Sequence, residues 1–160
     1  MLDILKLSPK DCLDCYNLLS NNSKDFTYFK SLGWNFHQFK KQFLKKTNFG
    51  IGFYNHKIIE GFVFGDLINI KNILEYEIFL IYVNYNKRKL GYGTKLLKEI
   101  SLILKEKKIK KIYLEVAENN LEAIKLYLKN GYKNTGIRKK YYKIKNCSAD
   151  SYLFEKNIND

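Results

Sequence analysis

Proline occurs once, at Pro9, and no Gly/Ser-rich stretch, low-complexity run or internal repeat interrupts the 160 residues, so nothing marks a linker between domains. Cysteine is scarce as well. Cys12 and Cys15 form a lone C-x-x-C inside a helical pattern and Cys147 stands far away, which argues against both a disulfide framework and a zinc ribbon. The two histidines, His37 and His56, fall on a helix surface and in a hairpin turn and make no metal site between them. Long apolar runs are missing, and Met1-Leu2-Asp3-Ile4-Leu5-Lys6 lacks the apolar stretch and cleavage site of a signal peptide. The expectation is a single cytoplasmic domain, residues 1–160, with no membrane partner. At 46% hydrophobic residues, the chain can bury one real core but hardly two.

Acidic residues are few against basic ones, and the net charge is +13. Clustered lysine and arginine would attract nucleic acid. Here, however, lysine is abundant together with isoleucine, asparagine and tyrosine, as an AT-rich genome would produce without selection for charge. The lysines also spread over Lys40 to Lys46, Lys105 to Lys111 and Lys139 to Lys145, on polar faces and turns, which reads as a solvated surface. Such a field still favours capture of a polyanion.

Periodicity predicts a strand from Asp3 to Leu7, helices from Lys10 to Ser20 and Phe36 to Lys46, and a hairpin from Gly50 to Leu67. The apolar strand Ile78 to Val83 follows, then a helix burying Leu96, Leu97, Ile100, Ile103 and Leu104. Lys111 to Val116 alternates as a strand. A helix opens at Asn119-Asn120-Leu121-Glu122 with an asparagine cap, presents Leu121, Ile124 and Leu128 as its apolar stripe with Tyr127 beside it, and closes at Asn130-Gly131. Two further strands run through Phe154.

The most telling run is R-K-L-G-Y-G-T-K-L-L, Arg88 to Leu97, where two glycines sit between a strand and a helix. Gly91 and Gly93 place no Cβ between free helix-terminal amides and an approaching anion, and the helix dipole points the same way. No G-K-S/T closes the loop, so it is not a P-loop, and Leu96 replaces the third glycine of the dinucleotide fingerprint. A bare G-x-G is also what a plain strand-to-helix turn contains.

The R-x-x-G-x-G pattern resembles the acetyl-coenzyme A loop of the GNAT N-acetyltransferases. The string L-E-V-A-E-N-N-L-E-A-I-K-L-Y-L-K-N-G-Y-K-N-T-G-I-R-K-K-Y-Y, Leu114 to Tyr142, closely resembles the bacterial ribosomal-protein-alanine N-acetyltransferases, the RimI family. The likeness is strong from about Ile78 to Tyr142 and looser from Trp34 to Glu77. It implies an α/β fold, a mixed and centrally splayed β-sheet with helices on both faces. It also implies acetyl-CoA as co-substrate, without a metal, and transfer to the N-terminal alanine of ribosomal protein S18; the basic field, for its part, could favour weak contact with ribosomal RNA.

For the site, the resemblance implies that strand amides of Ile81, Tyr82 and Val83 hold the thioester carbonyl. Arg88, Lys89, Leu90, Gly91, Tyr92, Gly93 and Thr94 would hold the pyrophosphate, and Asn120 would touch the cofactor. Glu115 is the implied general base and Tyr127, twelve residues on, the implied general acid. Glu77, Arg138, Tyr141 and Tyr142 stand on the substrate side. The chemistry asks for these types independently. An α-amine of pKa near ~8 must lose a proton before it attacks, and a departing thiolate can take one from a phenol. Departures are Asn84-Tyr85 in place of the usual turn, Leu80 in place of a polar residue, and Leu90 in place of a polar loop residue. Glu75 and Glu77, on the preceding strand, are rival bases, and with Glu115 and Glu118 they would make an acidic patch for a cationic acceptor. The other readings are acetylation of a different amine (a small molecule, a polyamine or aminoacyl-tRNA) and a non-catalytic RNA-associated binding protein.

Overall fold

The computed structural model describes residues 2–144 and 147–158. Its elements are β1 (Leu2–Lys6), a short 3-10 turn, α1 (Cys12–Ser20), α2 (Ser23–Ser31), α3 (Phe36–Phe43), β2 (Asn48–Asn55), β3 (Ile58–Ile70) and β4 (Ile73–Val83). After the glycine loop come α4 (Tyr92–Glu106), β5 (Lys111–Ala117), α5 (Leu121–Lys129), β6 (Lys133–Ile144) and β7 (Cys147–Asn157). The seven strands form one sheet in the order β1-β2-β3-β4-β5-β7-β6, parallel between β4 and β5 and antiparallel elsewhere. The expected mixed sheet with helices on both faces is therefore present.

Each face of the sheet carries its own core. Leu96, Leu97, Ile100 and Leu104 of α4 and Tyr127 of α5 pack on one side, against Val63, Tyr76, Ile78, Ile112, Leu114 and Val116. On the other side Cys12, Cys15, Leu18 and Leu19 of α1 and Phe39 and Phe43 of α3 pack against Phe62, Phe64, Leu80 and Tyr82. Cys12 and Cys15 are thus small buried hydrophobes with free thiols, and burial pushes both above the ordinary thiol range. The side chain of Cys147 and the residues Lys145 and Asn146 lie outside the described set.

The parity of β4 changes halfway along. Tyr76 and Ile78 face the α4 side; beyond them, Ile81 and Val83 face it instead, while Leu80 and Tyr82 turn to the α1 side. The register explains the switch: Phe64 pairs with Leu80 and Gly65 with Ile78, so Phe79 is an extra residue on β4. Leu80, unexpectedly apolar by sequence, fills the second core at 5% exposure. Gly65 permits the bulge, since a Cβ there would lie 1.9 Å from the carbonyl oxygen of Glu77.

Three expectations change. The helix α2 was not foreseen, because S-K-D-F-T-Y-F-K-S carries no apolar period and buries no residue fully; what it has is an N-cap, Asn22, whose side chain accepts from the amide of Asp25 at 3.0 Å. The helix beginning at Phe36 ends at Phe43 rather than Lys46. In α5 the expected stripe is rotated: Leu121 and Leu128 are 62% and 54% exposed, and the inward face is built from Ala123, Ile124, Leu126 and Tyr127.

Gly65→Ala is expected to lower stability by about 2 kcal/mol or more, because the bulge has to move to admit a methyl group. Urea unfolding of the two proteins measures this, and an unchanged midpoint would show that the bulge tolerates a Cβ.

Candidate active site

The strands β4 and β5 pair over only four residues, from Glu75 opposite Lys111 to Ile78 opposite Leu114. Beyond that point they part. Phe79 to Val83 keep β3 on one edge and lose β5 on the other, while Glu115 to Ala117 keep β7. Along the opened edge of β4 no strand faces Ile81 to Val83; alternate residues turn their peptide groups to opposite edges, and since Asn84 donates to Glu60 of β3 at 2.8 Å, it is Ile81 and Val83 that face the gap, where buried backbone groups need a partner. An extended ligand carrying amides of its own fits such a gap.

The glycine loop lies at the end of the gap. Among the described residues, the amides from Lys89 to Thr94 find no acceptor; the first helical bond of α4 runs from Lys95 to the carbonyl of Gly91 at 3.0 Å. Gly91 caps the helix with φ +84°, and Lys89 also adopts a positive φ of +62°. This row of unbonded donors at the positive end of a fifteen-residue helix suits a diphosphate. The two glycines do different work. Gly91 is needed for its backbone conformation, whereas a Cβ on Gly93 would lie 3.1 Å from Leu126, so Gly93 lets α5 close on α4. The ring of Tyr92 stacks inward on Phe53 at 4.5 Å, which leaves only its amide to the loop. Thr94 is tied to α5 through Asn130 Nδ2 at 3.4 Å. Leu90 is 64% exposed, and Lys89 projects into solvent with its ammonium 3.9 Å from Glu122. Asn120 caps α5, its Oδ1 accepting from Ala123 at 3.2 Å. Arg88 does not point at the loop: its guanidinium lies on Asp25 of α2.

Beside Ile78 and Phe79 opens a cleft of about 720 Å³ between the α2–α3 corner and the β6–β7 hairpin, with Trp34, Lys41, Lys45, Glu77, Glu115, Arg138, Tyr141 and Tyr142 among its walls. Glu77, Glu115 and Arg138 also line a smaller cavity of about 300 Å³ that reaches Ile68 and Leu153. Glu115 Oε1 meets Arg138 at 3.1 Å, and Ser151 donates to Oε2 at 3.4 Å. Glu77 has no hydrogen bond or ion pair among the described residues. Burial, and then the charges of Glu115 and Asp66, raise its carboxyl above the ordinary 4.5, against opposing pulls from Arg138 and Lys45. The four-member acidic patch reduces to these two. Glu75 accepts from Tyr113 at 3.0 Å, and Glu118 accepts from the Asp150 amide at 2.8 Å, so neither lines the clefts. Arg138 lies 5.4 Å from the ring centre of Tyr141, which makes the hairpin wall one aromatic and cationic surface.

Tyr127 stands behind this cleft, 5% exposed, its ring against Tyr132 at 5.7 Å and Phe154 at 6.1 Å. Its hydroxyl makes no hydrogen bond to a described residue. Burial, then the phenols of Tyr142 and Tyr28, push it above the ordinary 10. It holds its proton at neutral pH. Tyr28 and Asp25, both on α2, were missed with their helix; the only signal for them was the Asn22 cap.

A mixed seven-stranded sheet that parts between its two parallel strands above a glycine loop is the architecture of an acetyltransferase. Residues 17–132 match the Acetyltransferase (GNAT) family, and the chain belongs to it. N-alpha-acetyltransferase RimI of Mycobacterium tuberculosis is 33% identical over 86 residues, 54% of this chain. The match spans about half of that relative, 51% of its length. The ribosomal-protein-S18-alanine N-acetyltransferase of Escherichia coli superposes with a TM-score of 0.83 at 20% identity, over 99% of this chain and 94% of that one. Arabidopsis thaliana NAA60, solved in complex with acetyl-CoA, superposes with 0.80 at 18% identity over 100% of both chains. These likenesses establish a shared fold. No helix among the described residues is long and apolar enough to cross a membrane.

Glu77 supplies a pH test. Its folded pKa lies above the unfolded one, so the native state binds the proton more tightly. Its contribution to stability is then greatest below 4.5 and is lost as pH rises through the folded value. Glu77→Gln should raise the melting temperature at pH 7 to 8 and leave it unchanged near pH 4, as read by calorimetry; a gain at both pH values would mean the charge is not the cause.

Proposed function

We propose that this chain transfers the acetyl group of acetyl-CoA to the α-amine of a protein N-terminus, with the N-terminal alanine of ribosomal protein S18 as acceptor. The observation that carries this reading is the cleft onto which both Glu77 and Glu115 open beside the parted strands. An ammonium group is drawn to two carboxylates facing one space. Sequence likeness to a RimI protein supports the choice of acceptor.

The residues divide the chemistry in order. The loop amides from Lys89 to Thr94 take the diphosphate of acetyl-CoA, with Lys89 as the mobile cation near it and Asn120 at its flank. The open edge from Ile81 to Val83, where the amides of Ile81 and Val83 face the gap, takes the pantetheine arm and the thioester carbonyl, where negative charge develops during attack. Arg138, Tyr141 and Tyr142 hold the acceptor backbone, and Glu77 holds its ammonium. Glu115, directly or through one water, accepts the proton that must leave before the nitrogen can attack. The arriving ammonium competes with Arg138 for that carboxylate, so the base is engaged until the acceptor is seated. Tyr127 then supplies a proton to the departing sulfur, and the second proton shed by the nitrogen as the amide forms restores the phenol; burial, by raising the pKa, keeps Tyr127 protonated for that task. The sequence of events needs no metal. It is a base, an oxyanion site and an acid in one gap.

The test is release of free thiol from acetyl-CoA with a peptide copying the S18 N-terminus, beside the same peptide with a blocked N-terminus and a polyamine. Turnover with the open peptide alone is expected. Activity on the polyamine alone would move the chain to small-molecule acetylation, and no thiol release with any acceptor would overturn the reading. Glu115→Gln should lower kcat about a hundredfold, the range of a lost general base. Glu77→Gln should mainly raise the acceptor KM, and Tyr127→Phe should cut kcat while the affinity for acetyl-CoA holds. The opposite split between the two glutamates would make Glu77 the base.

A further inference from the structure

Arg88 opens the R-x-x-G-x-G motif, where the resemblance expects a cation on the pyrophosphate. Its guanidinium is committed elsewhere. Nη2 and Nη1 bond the two oxygens of Asp25 at 2.5 and 3.3 Å, and Nε bonds the carbonyl of Val83 at 3.2 Å. The rings of Tyr82 and Tyr85 lie against it, with centres 5.2 and 5.5 Å away. Tyr82 also donates its hydroxyl to Asp25 at 2.8 Å. Both charged side chains are largely covered, at 17% exposure for Asp25 and 31% for Arg88. Swinging Arg88 to a phosphate would leave a covered carboxylate with a single hydrogen-bond donor, an unfavourable state.

The partner of Arg88 sits on α2, which buries no residue fully. Its apolar contacts are partial, Phe29 against the α1-side core and Phe26 against Tyr16, so the bidentate, largely covered ion pair adds a specific tie that fixes the helix in place. Directly after α2 the chain runs through Leu32, Gly33 and Trp34, which line the cleft. Arg88 therefore joins the start of the phosphate loop to a wall of that cleft.

We infer that Arg88 and Asp25 form a brace that fixes α2 against the phosphate loop and so positions the acceptor wall, and that Arg88 is not a phosphate ligand. Asp25 is then a positioning residue for the reaction, and Lys89, exposed and with a positive φ, is the loop's phosphate cation. The inference rests on the acetyl-CoA reading of the loop, but the brace itself is measurable without any ligand.

Amide hydrogen exchange across Ser23–Ser31 and calorimetric affinity for acetyl-CoA should be measured for the wild type, Asp25→Asn, Arg88→Gln, Arg88→Lys and the Asp25→Asn/Arg88→Gln double variant. Both single neutralisations are expected to lower protection of α2, the double variant to add little to either, and Arg88→Lys to recover part of it. Acetyl-CoA affinity should change by less than about threefold and equally for Asp25→Asn and Arg88→Gln, whereas kcat on the S18 peptide should fall about fivefold in both with the acetyl-CoA KM held. A loss of affinity of about tenfold in Arg88→Gln but not in Asp25→Asn would make Arg88 a phosphate ligand and overturn the inference. Unchanged protection of α2 would overturn it as well. A wild type that binds no acetyl-CoA would strike the functional reading, and α2 protection would still decide the brace.

Discussion

Everything at the site follows from the point where β4 and β5 stop pairing. Backbone amides and carbonyls are obligatory hydrogen-bonding groups, and a sheet that opens in its middle leaves a row of them unsatisfied in a partly covered gap. Three features hold the gap open. The bulge at Phe79 turns β4 so that Leu80 and Tyr82 anchor in the α1 core, the antiparallel partner β7 holds β5 on its far side, and α4 and α5 wedge together where Gly93 meets Leu126. The free amides, the diphosphate loop and the carboxylate cleft are consequences of that one separation.

The cleft sets two carboxylates among cations. A chain of net charge +13 would repel a cationic peptide, and Lys41, Lys45 and Arg138 line the cleft beside Glu77 and Glu115, so any attraction for an ammonium is local to those two carboxylates. The same excess of positive charge favours the approach of a polyanionic coenzyme. Glu75 and Glu118 show why counting carboxylates in a sequence overestimates a patch. Each is held by a local donor, Tyr113 for one and a backbone amide for the other.

The parts that were legible in the sequence are those written locally. The glycine loop, the cap at Asn120 and the apolar period of α4 each fit within a few turns of chain, and the structure has all three. The parts that were not legible depend on tertiary register. The bulge at Phe79 is invisible in a continuous apolar run, because nothing in Glu75 to Val83 tells which neighbour is the extra one. The stripe of α5 rotated because the core takes the large ring of Tyr127, which offers more area to bury, and leaves Leu121 and Leu128 outside. The helix α2 escaped because an ion pair to Arg88, sixty-three residues away in sequence, stands in for the hydrophobic stripe that would have announced it. The role of Arg88 was obscured for the same reason, since a motif names a residue but not its partner.

The central claim is that the parted strands and the unbonded loop amides receive acetyl-CoA. The most direct measurement is a nuclear magnetic resonance titration of nitrogen-15-labelled protein with acetyl-CoA, following each backbone amide. Large shifts confined to Lys89 to Thr94 and to Ile81 to Val83, saturating together, are what the account predicts. Saturable shifts elsewhere with those amides unmoved, or no shifts at all, would contradict it.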